Sequence, residues 1–508
     1  MDPRELLARL REDLAEAGYT VDGVQELVGD VASRALDREQ ALPALRAAER
    51  AGGPASVLLR CCTLGREVTR AEVDAALPRT GTDGAAALGL LAAAGAAPGD
   101  AVRPLVDLRP YRVDDGAGDG SPADWWLVSD LGELATGRAL APDHVLGVGG
   151  ASLTLARATV RTPVGSVLDV GTGCGVQALH AARHARRVVA TDTSERALDL
   201  AAVNAALNGV ALDLRQGSLL EPVADGELFD LVVSNPPFVI TPRREGVPQY
   251  EYRDGGMSGD SLVRRLFAEV GGVLAPGGVA QLLGNWEYHG EDDWAQRLEG
   301  WLEGTGLDAW VVQREVADPA LYAETWIRDG GQKPGAAFDE LYAAWLDDFE
   351  ARGVTGVGFG VVTLRRPVAG PPTLRRFEEV LSGVDDPLGG VFAAGLVAHD
   401  RLAVLDDEAL AGTALRVAPD VSDERYHAPG EPDPRVVLLR QGGGLRRVVQ
   451  ADGDLAGLVG ACDGELTVGQ VAAGLAVLLE EDAPALRARL LPRVRDLVRD
   501  GLLLLPPS

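Results

Sequence analysis

Apolar and polar positions follow a helical rhythm through the first quarter of the chain. Apolar residues recur at helical spacing over residues 6–14, which predicts an amphipathic helix. Two strand-like runs, 106–113 and 125–128, flank the turn-rich stretch DDGAGDGSP and predict a hairpin. Helices followed by such a hairpin are typical of a winged-helix-like unit, so we interpret residues 1–142 as a helical, winged-helix-like domain for substrate selection or docking. Further helices are predicted at 24–36, 42–51, 55–64, 70–76 and 84–94.

Residues 143–367 change to a rhythm of short apolar strands and helices. Residues 167–170 are an apolar run that ends in glycines, which predicts a buried parallel strand and a tight turn. The alternation of strands and helices that follows is typical of a doubly wound, Rossmann-like α/β sheet. An aromatic insertion at 318–353 precedes the last strand. Its Tyr322 and Trp326 are candidates for a substrate lid or for the aromatic core of a helical hairpin.

A proline-rich stretch at 366–372 is interpreted as a linker to a third unit. Residues 368–508 are expected to form a C-terminal accessory domain of mixed α/β type, with amphipathic helices in its tail. The tail contains a group of arginines, for which we predict a charged, solvated face. They are Arg487, Arg489, Arg493, Arg495 and Arg499.

A glycine-rich turn follows the first predicted strand of the central domain. Gly171, Gly173 and Gly175 open the next helix, so the chain can bend sharply there and a ligand can lie against bare backbone. Tight turns also use glycine for steric reasons alone. The second strand, however, ends in Asp192, near the offset at which an acid meets a ribose in Rossmann-like folds. Together the turn and the acid predict a site for a nucleoside-carrying cofactor.

Two motifs specify the cofactor further. Asp169 precedes the glycines and completes D-x-G-x-G-x-G, which resembles motif I of the class I S-adenosylmethionine-dependent methyltransferases. The N-P-P-F sequence at 235–238 resembles motif IV of the branch that methylates nitrogen in a planar system: adenine N6, guanine N2 or the amide of glutamine. The resemblance implies S-adenosyl-L-methionine as the cofactor, with the glycine turn, Asp169, Asp192 and Asn235 in its site.

The residues of N-P-P-F suit this chemistry. An amide or aryl amine is a poor nucleophile, because its lone pair is delocalised. Acceptors at the Asn235 side chain and the Pro236 carbonyl can bind its N–H groups and localise the lone pair. Pro236 and Pro237 fix the backbone and cannot donate, and Phe238 can stack on the planar group. We therefore predict that Asn235, Pro236, Pro237 and Phe238 are the catalytic residues.

Within this branch, NPPFVITP followed by YRDGGMSGD looks like the HemK-type enzymes that methylate glutamine in translation release factors. Phe238 stands at the family's aromatic position, where the RsmC-type ribosomal-RNA guanine-N2 enzymes also carry Phe. The P-R-P-x-T-E signature of the bacterial release-factor enzymes is absent around 149–154. Ser218 stands where relatives usually have an acid for the adenine amine, which leaves adenine to backbone groups and to apolar walls near Leu219.

The charge of the chain limits which molecules can be the methyl acceptor. The net charge is −28, which repels nucleic acid on average and favours a protein or small-molecule substrate. The predicted helix at 84–94 has no basic residue, so duplex DNA is an unexpected partner for the N-terminal domain. The segment 241–266 balances its arginines and acids, however, which leaves an RNA acceptor open.

Cysteine spacing and hydropathy exclude other classes. The four cysteines lack paired metal-ligand spacing, so we predict neither a metal nor a disulfide. No uninterrupted apolar run of about 18 residues occurs, and the charged N-terminus does not resemble a signal sequence. We therefore expect a cytoplasmic protein without a membrane partner.

The leading hypothesis is an N-methyltransferase acting on a planar nitrogen, first of all the amide of a protein glutamine. An RNA methyltransferase for guanine N2 or adenine N6 is the alternative within the same chemistry. A cofactor-binding, methyltransferase-like adaptor module is the alternative of another class. The intact N-P-P-F acceptor geometry argues against the adaptor, since an idle site has no use for it.

Overall fold

The computed structural model describes residues 2–117, 120–137, 140–290 and 293–507. Contacts divide the chain into two units. The first runs to Ala156 and resumes over Pro163–Glu379, and the second combines Arg157–Thr162 with the chain from Val380 onward. In the described part of the chain, no helix has both the length and the apolar character needed to cross a bilayer.

The first unit begins with seven helices and two small antiparallel sheets within the described residues. The helices are α1 (Pro3–Glu16), α2 (Val21–Val28), α3 (Asp30–Leu36), α4 (Ala41–Ala51), α5 (Gly53–Leu58), which continues into a π turn (Leu59–Thr63), α6 (Arg70–Ala76) and α7 (Gly81–Ala87). The strands are β1 (Val68–Thr69), β2 (Leu91–Ala93), β3 (Ala101–Pro104), β4 (Asp107–Val113) and β5 (Ala123–Ser129). The first sheet has the order β1-β3-β2, and β4 and β5 form a separate hairpin.

The winged-helix-like arrangement is present, but its wing is not where the sequence predicted it. Helix α5, strand β1, helices α6 and α7 and the β2–β3 hairpin follow one another, so β2–β3 is the wing and β4–β5 an additional hairpin. The predicted helix at 84–94 is wrong beyond Ala87. Gly89 has a φ of 73°, which ends the helix, and Leu91 begins a strand with its side chain in the core. Residues 118 and 119 of the predicted turn-rich loop lie outside the described residues.

An eight-stranded sheet forms the centre of the first unit. Its strands are β6 (Val164–Val170), β7 (Ala185–Asp192), β8 (Asp213–Gln216), β9 (Phe229–Ser234), β10 (Leu274–His289), β11 (Asp308–Ala317), β12 (Val354–Arg365) and β13 (Arg375–Glu379). The helices from the hairpin onward are α8 (Glu133–Thr136), α9 (Gly150–Ala158), α10 (Val176–Ala182), α11 (Glu195–Leu207), α12 (Ser261–Glu269), α13 (Trp294–Trp301), α14 (Pro319–Asp329) and α15 (Ala336–Arg352), with a 3₁₀ turn at Val270–Val273.

The strand order is β13-β11-β12-β10-β9-β6-β7-β8. Strand β12 runs antiparallel to both of its neighbours, whereas the other strand pairs are parallel. The order reverses at β6, which lies between β7 and β9, and ligands of open α/β sheets bind in the crevice at such a reversal. The predicted Rossmann-like methyltransferase fold is therefore confirmed. Strand β13 extends this sheet, so the first unit continues past residue 367 to Glu379.

The second unit is built from helices and two three-stranded sheets. Its elements are α16 (Gly389–Ala403), α17 (Asp407–Ala411), β14 (Ala414–Val417), β15 (Val421–His427), β16 (Pro434–Gln441), β17 (Val448–Ala451), α18 (Gly453–Gly460), β18 (Asp463–Thr467), α19 (Val468–Leu479), α20 (Ala483–Arg499) and β19 (Leu503–Leu504). The sheet orders are β18-β14-β19 and β15-β16-β17. Helix α20 buries leucines and valines, while Arg487, Arg489 and Arg493 pair with acids of the same unit. These arginines therefore form a solvated face.

Helix α11 holds the β4–β5 hairpin against the central sheet. The fully buried Asn204 accepts from the backbone N–H of Val128 at 2.7 Å and donates to the Val128 carbonyl at 2.8 Å. Its amide also donates to the carbonyl of Cys174, inside the glycine turn, at 2.8 Å. Asn208 makes the equivalent pair of bonds with Trp126. One side chain thus connects the N-terminal hairpin, α11 and the glycine turn.

Replacing Asn204→Ala should therefore destabilise the protein strongly. It leaves three buried backbone groups without their partner, at about 1–3 kcal/mol for each unsatisfied group. We expect the free energy of unfolding to fall by about 3 kcal/mol or more, measured by urea denaturation. Asp199→Ala, at an exposed position of the same helix, should change it by less than about 0.5 kcal/mol. Equal midpoints for the two variants would contradict this account of the link.

Candidate active site

The glycine turn between β6 and α10 forms an open cradle. Gly171, Gly173 and Gly175 have φ values of 72°, 55° and 89°, in the left-handed region that favours glycine. A Cβ at Gly171 or Gly173 would meet no atom within 4 Å, whereas one at Gly175 would come within 3.1 Å of the Ala201 Cβ. Gly175 is thus required for packing against α11. The space over Gly171 and Gly173 is free for a ligand.

Asp192 is fixed beside this cradle at the end of β7. Its Oδ2 accepts from the N–H of Gly173 and its Oδ1 from the N–H of Ser194, both at 2.9 Å. Burial raises the pKa of this carboxyl, although the two backbone bonds oppose the shift. A carboxylate has about four lone-pair positions, so each oxygen retains capacity for a hydroxyl donor. The predicted acid and the predicted turn therefore form one hydrogen-bonded group.

Asp169 lies beneath the turn rather than in the open space. It is 1% exposed, and its Oδ2 accepts from the Thr172 hydroxyl at 2.6 Å. Its Oδ1 is buried without a hydrogen-bond partner. Burial raises the pKa of Asp169 to about 7, and the bond from Thr172 opposes this rise. Asp169 therefore supports the turn from below and changes its protonation state near neutral pH.

The turn after β8 approaches the same edge of the sheet. Ser218 and Leu219 are half-buried there, and the Leu219 carbonyl accepts from the Thr191 hydroxyl at 3.4 Å. Leu219 has a φ of 50°. Such left-handed backbone is strained for a leucine and is found most often at functional sites. The structure thus places the two residues predicted to flank adenine next to the strand that ends in Asp192.

The N-P-P-F segment leaves β9 next to the glycine turn. The Ser234 hydroxyl donates to the carbonyl of Val170 at 2.8 Å, which joins the ends of β9 and β6. Asn235 follows, and its Oδ1 is buried without a hydrogen-bond partner. Leaving a buried acceptor unpaired costs about 1–3 kcal/mol. An acceptor of this kind beside a cradle is typical of a site that receives an N–H donor from a ligand.

The second predicted hydrogen-bond acceptor, the Pro236 carbonyl, already accepts one hydrogen bond within the protein. The Pro236 carbonyl accepts from the N–H of Phe238 at 2.7 Å, so one of its two lone pairs is used within a tight turn. Phe238 itself is 8% exposed, with ring centroids 5.4 Å from Phe359 and 6.5 Å from Trp326. Pro236 therefore offers one remaining lone pair, and stacking of Phe238 on a substrate stays a prediction.

The α14–α15 insertion packs on the segment that follows N-P-P-F. Tyr322 is 6% exposed, and its ring lies 6.1 Å from that of Trp345 and 5.9 Å from that of Phe349. Its hydroxyl accepts from the N–H of Ile240 at 3.0 Å and from Nδ2 of Asn285 at 2.5 Å. Of the two roles expected from the sequence, the structure gives Tyr322 a place in the aromatic core.

Unpaired buried atoms concentrate at this edge of the sheet. In native proteins nearly all buried polar atoms are hydrogen-bonded, and exceptions call for an explanation. Sequence reasoning missed Asn285, which belongs to no recognised motif, and it did not single out Thr241 or Arg253 within NPPFVITP and YRDGGMSGD. Within the described ranges, no group of three or more His, Cys, Asp or Glu side chains is arranged to hold a metal. The unpaired atoms here are Asp169 Oδ1, Asn235 Oδ1, Thr241 Oγ1, Arg253 Nε and Asn285 Oδ1.

Comparison with protein families agrees with this geometry. Residues 148–292 match the family described as methyltransferase small domain. Residues 16–105 and 399–505 match two domains of unknown function, DUF7059 and DUF7782. The sheet, the glycine turn and this match make the central region a methyltransferase domain of the S-adenosylmethionine-dependent class.

Over the same region, the chain is similar to curated proteins that are named as glutamine methyltransferases. The release factor glutamine methyltransferase of Deinococcus radiodurans is 41% identical over 124 residues, which cover 23% of this chain and 44% of the relative. A putative protein N5-glutamine methyltransferase of Methanocaldococcus jannaschii is 33% identical over 120 residues, 23% of this chain and 60% of the relative. The chain thus spans less than two thirds of either relative. The HemK-type resemblance predicted from the motifs is confirmed for the central region.

A solved structure of a methyltransferase from Pyrococcus furiosus is 16% identical to this chain. It covers 46% of this chain and 93% of its own, with a TM-score of 0.27. The fold assignment rests on the strand order and directions of the chain itself.

The buried carboxyl of Asp169 generates a stability prediction. Its pKa of about 7 in the fold lies above about 3.9 in the unfolded chain, so the folded state binds more protons and stability falls as pH rises between these values. Asp169→Asn removes this penalty while keeping an oxygen for Thr172. We expect the variant to melt a few degrees above the wild type at pH 8 and to lose most of that advantage at pH 5. A pH-independent difference in Tm would contradict a buried titrating carboxyl.

Proposed function

We propose that the chain is an S-adenosylmethionine-dependent N-methyltransferase whose acceptor is the side-chain amide of a glutamine in a protein. One observation carries the proposal: the buried, unpaired Oδ1 of Asn235 at the end of β9. The Ser234–Val170 bond fixes the neighbouring residue to the strand that begins the glycine turn. An acceptor for an N–H group is thereby held next to a cradle of cofactor type.

The residues of the cradle fit the cofactor. The open space over Gly171 and Gly173 would receive it, and Asp192 retains lone pairs for the two ribose hydroxyls. Ser218 and Leu219 would flank the adenine from the turn after β8. When bound, this cofactor supplies an electrophilic methyl group on a sulfonium. These assignments agree with the roles of glycine turn and strand-two acid in Rossmann-like folds.

The chain's own contribution is to make a planar nitrogen nucleophilic. An amide nitrogen shares its lone pair with the neighbouring carbonyl, so it attacks poorly. Oδ1 of Asn235 would accept one of its N–H groups, and the remaining lone pair of the Pro236 carbonyl would accept the other. Held in this way, the lone pair is directed away from the amide plane, and a proton leaves to solvent after the transfer. Phe238 would cover the planar group.

A protein acceptor is favoured over a nucleobase. The net charge of −28 opposes the approach of RNA, and helix α7, where a winged-helix unit would read a groove, carries no basic residue. Both curated relatives are named for glutamine methylation. The outer domains would then select the protein substrate, and we expect the reaction in the cytoplasm.

Asp192→Ala should weaken cofactor binding without unfolding the protein. The substitution removes the acceptor proposed for the ribose hydroxyls, and hydrogen bonds to a charged group contribute about 1.5–3 kcal/mol. Titration calorimetry with S-adenosylmethionine should therefore show a Kd at least tenfold higher. Asp199→Ala removes an exposed carboxylate from the following helix and should leave the Kd unchanged. Equal affinities of both variants would remove Asp192 from the site.

Asn235→Ala should abolish methyl transfer while largely sparing cofactor binding. Purified protein, labelled S-adenosylmethionine and a bacterial release factor form the first assay, with ribosomes and tRNA as separate arms. We expect the label on protein, as a mass increase of one methyl group on a glutamine. Asn235→Asp keeps an acceptor but lacks the amide donor, so its activity should exceed that of the alanine variant and depend on pH.

The outcomes separate the candidate functions. Label on RNA alone would replace the glutamine proposal by a nucleobase proposal. Cofactor binding without transfer to any arm, by a wild-type protein that is folded, would favour the adaptor. Near-wild-type turnover of Asn235→Ala would refute the planar-nitrogen assignment.

A further inference from the structure

The segment after N-P-P-F is held from outside the sheet. The N–H of Val239 donates to the carbonyl of Arg253 at 2.8 Å, and Phe238 forms a bridge with Asp254. The chain therefore returns along itself after leaving β9. This returning loop, residues 238–254, begins at the last residue of N-P-P-F, and an ion pair between Arg243 and Asp254 closes it on itself. Elements packed against the loop add to these internal bonds.

Helix α14 contacts both ends of the returning loop. The Tyr322 hydroxyl accepts from the N–H of Ile240 at 3.0 Å. The guanidinium of Arg253 donates to the carbonyl of Trp326 at 2.8 Å and to Asp329 at 2.7 Å. Arg253 also lies over the ring of Tyr250, 4.4 Å from its centroid. The outgoing and the returning part of the loop are thus bonded to the same helix.

The side chain of Tyr322 is held by a hydrogen bond from the sheet and by aromatic packing. Asn285, within β10, donates to its hydroxyl, so the hydroxyl joins the sheet, the loop and the insertion. The ring lies among Trp326, Trp345 and Phe349. Burial raises the pKa of this phenol, so it stays neutral at physiological pH. A neutral hydroxyl with a fixed ring is a rigid acceptor for one backbone N–H.

We propose that the α14–α15 hairpin is a positioning element for N-P-P-F and that Tyr322 is its positioning residue. The hydroxyl fixes the backbone at Ile240 and, through the two prolines, the place of the Asn235 acceptor. An acceptor that localises a lone pair needs such support, because a displacement of about 1 Å can cost about 100-fold in rate. The catalytic part of this proposal rests on the proposed function, whereas the structural part does not.

The test compares two tyrosines of the same hairpin. Tyr322→Phe removes the hydroxyl that binds Ile240. Tyr342→Phe makes the same chemical change on α15, where the ring packs 5.8 Å from Phe338 and no hydrogen bond of the hydroxyl occurs among the described residues. In the full-length protein, hydrogen exchange measured by mass spectrometry should quicken about tenfold in peptides covering 238–241 for Tyr322→Phe, as expected for one lost hydrogen bond. Tyr342→Phe should exchange like the wild type.

Kinetics supply the second readout. With the acceptor identified by the labelling assay, Tyr322→Phe should lower kcat about tenfold or more, while the Kd for S-adenosylmethionine stays unchanged. Tyr342→Phe should alter neither value. A merely structural loss would lower cofactor affinity and activity together through a smaller folded fraction, and the Tm identifies that case.

A double variant controls for a loss of stability in Tyr322→Phe. Tyr322→Phe leaves Asn285 without its acceptor, whereas the pair Tyr322→Phe with Asn285→Leu replaces both partners by apolar groups of similar size, which can be nearly neutral for stability. The amide of Ile240 loses its acceptor in both. The double variant should therefore repeat the faster exchange at 238–241 and the lower kcat.

The outcomes are distinct. Unchanged exchange at 238–241 in both variants overturns the positioning role. Faster exchange with an unchanged kcat shows that the contact has no bearing on transfer, and it overturns the role as well. A wild-type protein without transfer activity refutes the proposed function, while the exchange measurement still decides whether Tyr322 fixes the loop.

Discussion

The close packing of the glycine turn against α11 is the constraint on which the rest of the site depends. A side chain at Gly175 would crowd α11, because a Cβ there would approach that of Ala201 to 3.1 Å, and the φ of 89° also favours glycine. Asn204 then uses this proximity to bond the Cys174 carbonyl and, with its other bonds, the edge of β5. The position of the cradle is thereby determined by three elements that are far apart in the sequence.

The two halves of the site are supported in different ways. The glycine-turn half is held by side chains of β7 and α11, such as Asp192, which accepts from the Gly173 N–H, and Asn204, which donates to the Cys174 carbonyl. The acceptor half leaves the sheet at Asn235 and relies on side chains of the insertion. The glycine turn is thus braced by the sheet and α11, whereas the segment after Asn235 is braced by the α14–α15 hairpin.

Much of the fold follows from local patterns that the sequence makes visible. The βα rhythm and the apolar strands predicted the central sheet, because parallel strands buried on both faces leave continuous apolar runs. The Ala- and Leu-rich run 84–94 favours a helix throughout, so the end of α7 at Ala87 could not be predicted from periodicity. Strand β13 contains mostly charged residues and pairs only at the margin of the sheet, so it lacks the apolar signature of a strand.

At the site, too, local motifs can be predicted from the sequence, whereas contacts between distant residues cannot. The cradle and Asn235 belong to short contiguous motifs, so the sequence could point to them, and the structure brings them to the same edge of the sheet. The Tyr322–Ile240 bond joins residues 82 positions apart, and the sequence holds no local trace of such a contact. The bond within the turn at Pro236 was missed for another reason. A motif names its residues but not which of their lone pairs are already in use.

Under the proposed function, the unpaired oxygen of Asn235 would also determine which side chains the site refuses. Glutamine and glutamate have nearly the same size and shape, so a steric pocket hardly separates them. An acceptor-only oxygen separates them by charge and hydrogen bonding, because a carboxylate would present a second acceptor where the amide presents a donor. The mismatch leaves both oxygens desolvated and unpaired, and sites of this kind discriminate more strongly than hydrophobic pockets do. On the same proposal, deamidation of an acceptor glutamine would therefore make it a poor substrate.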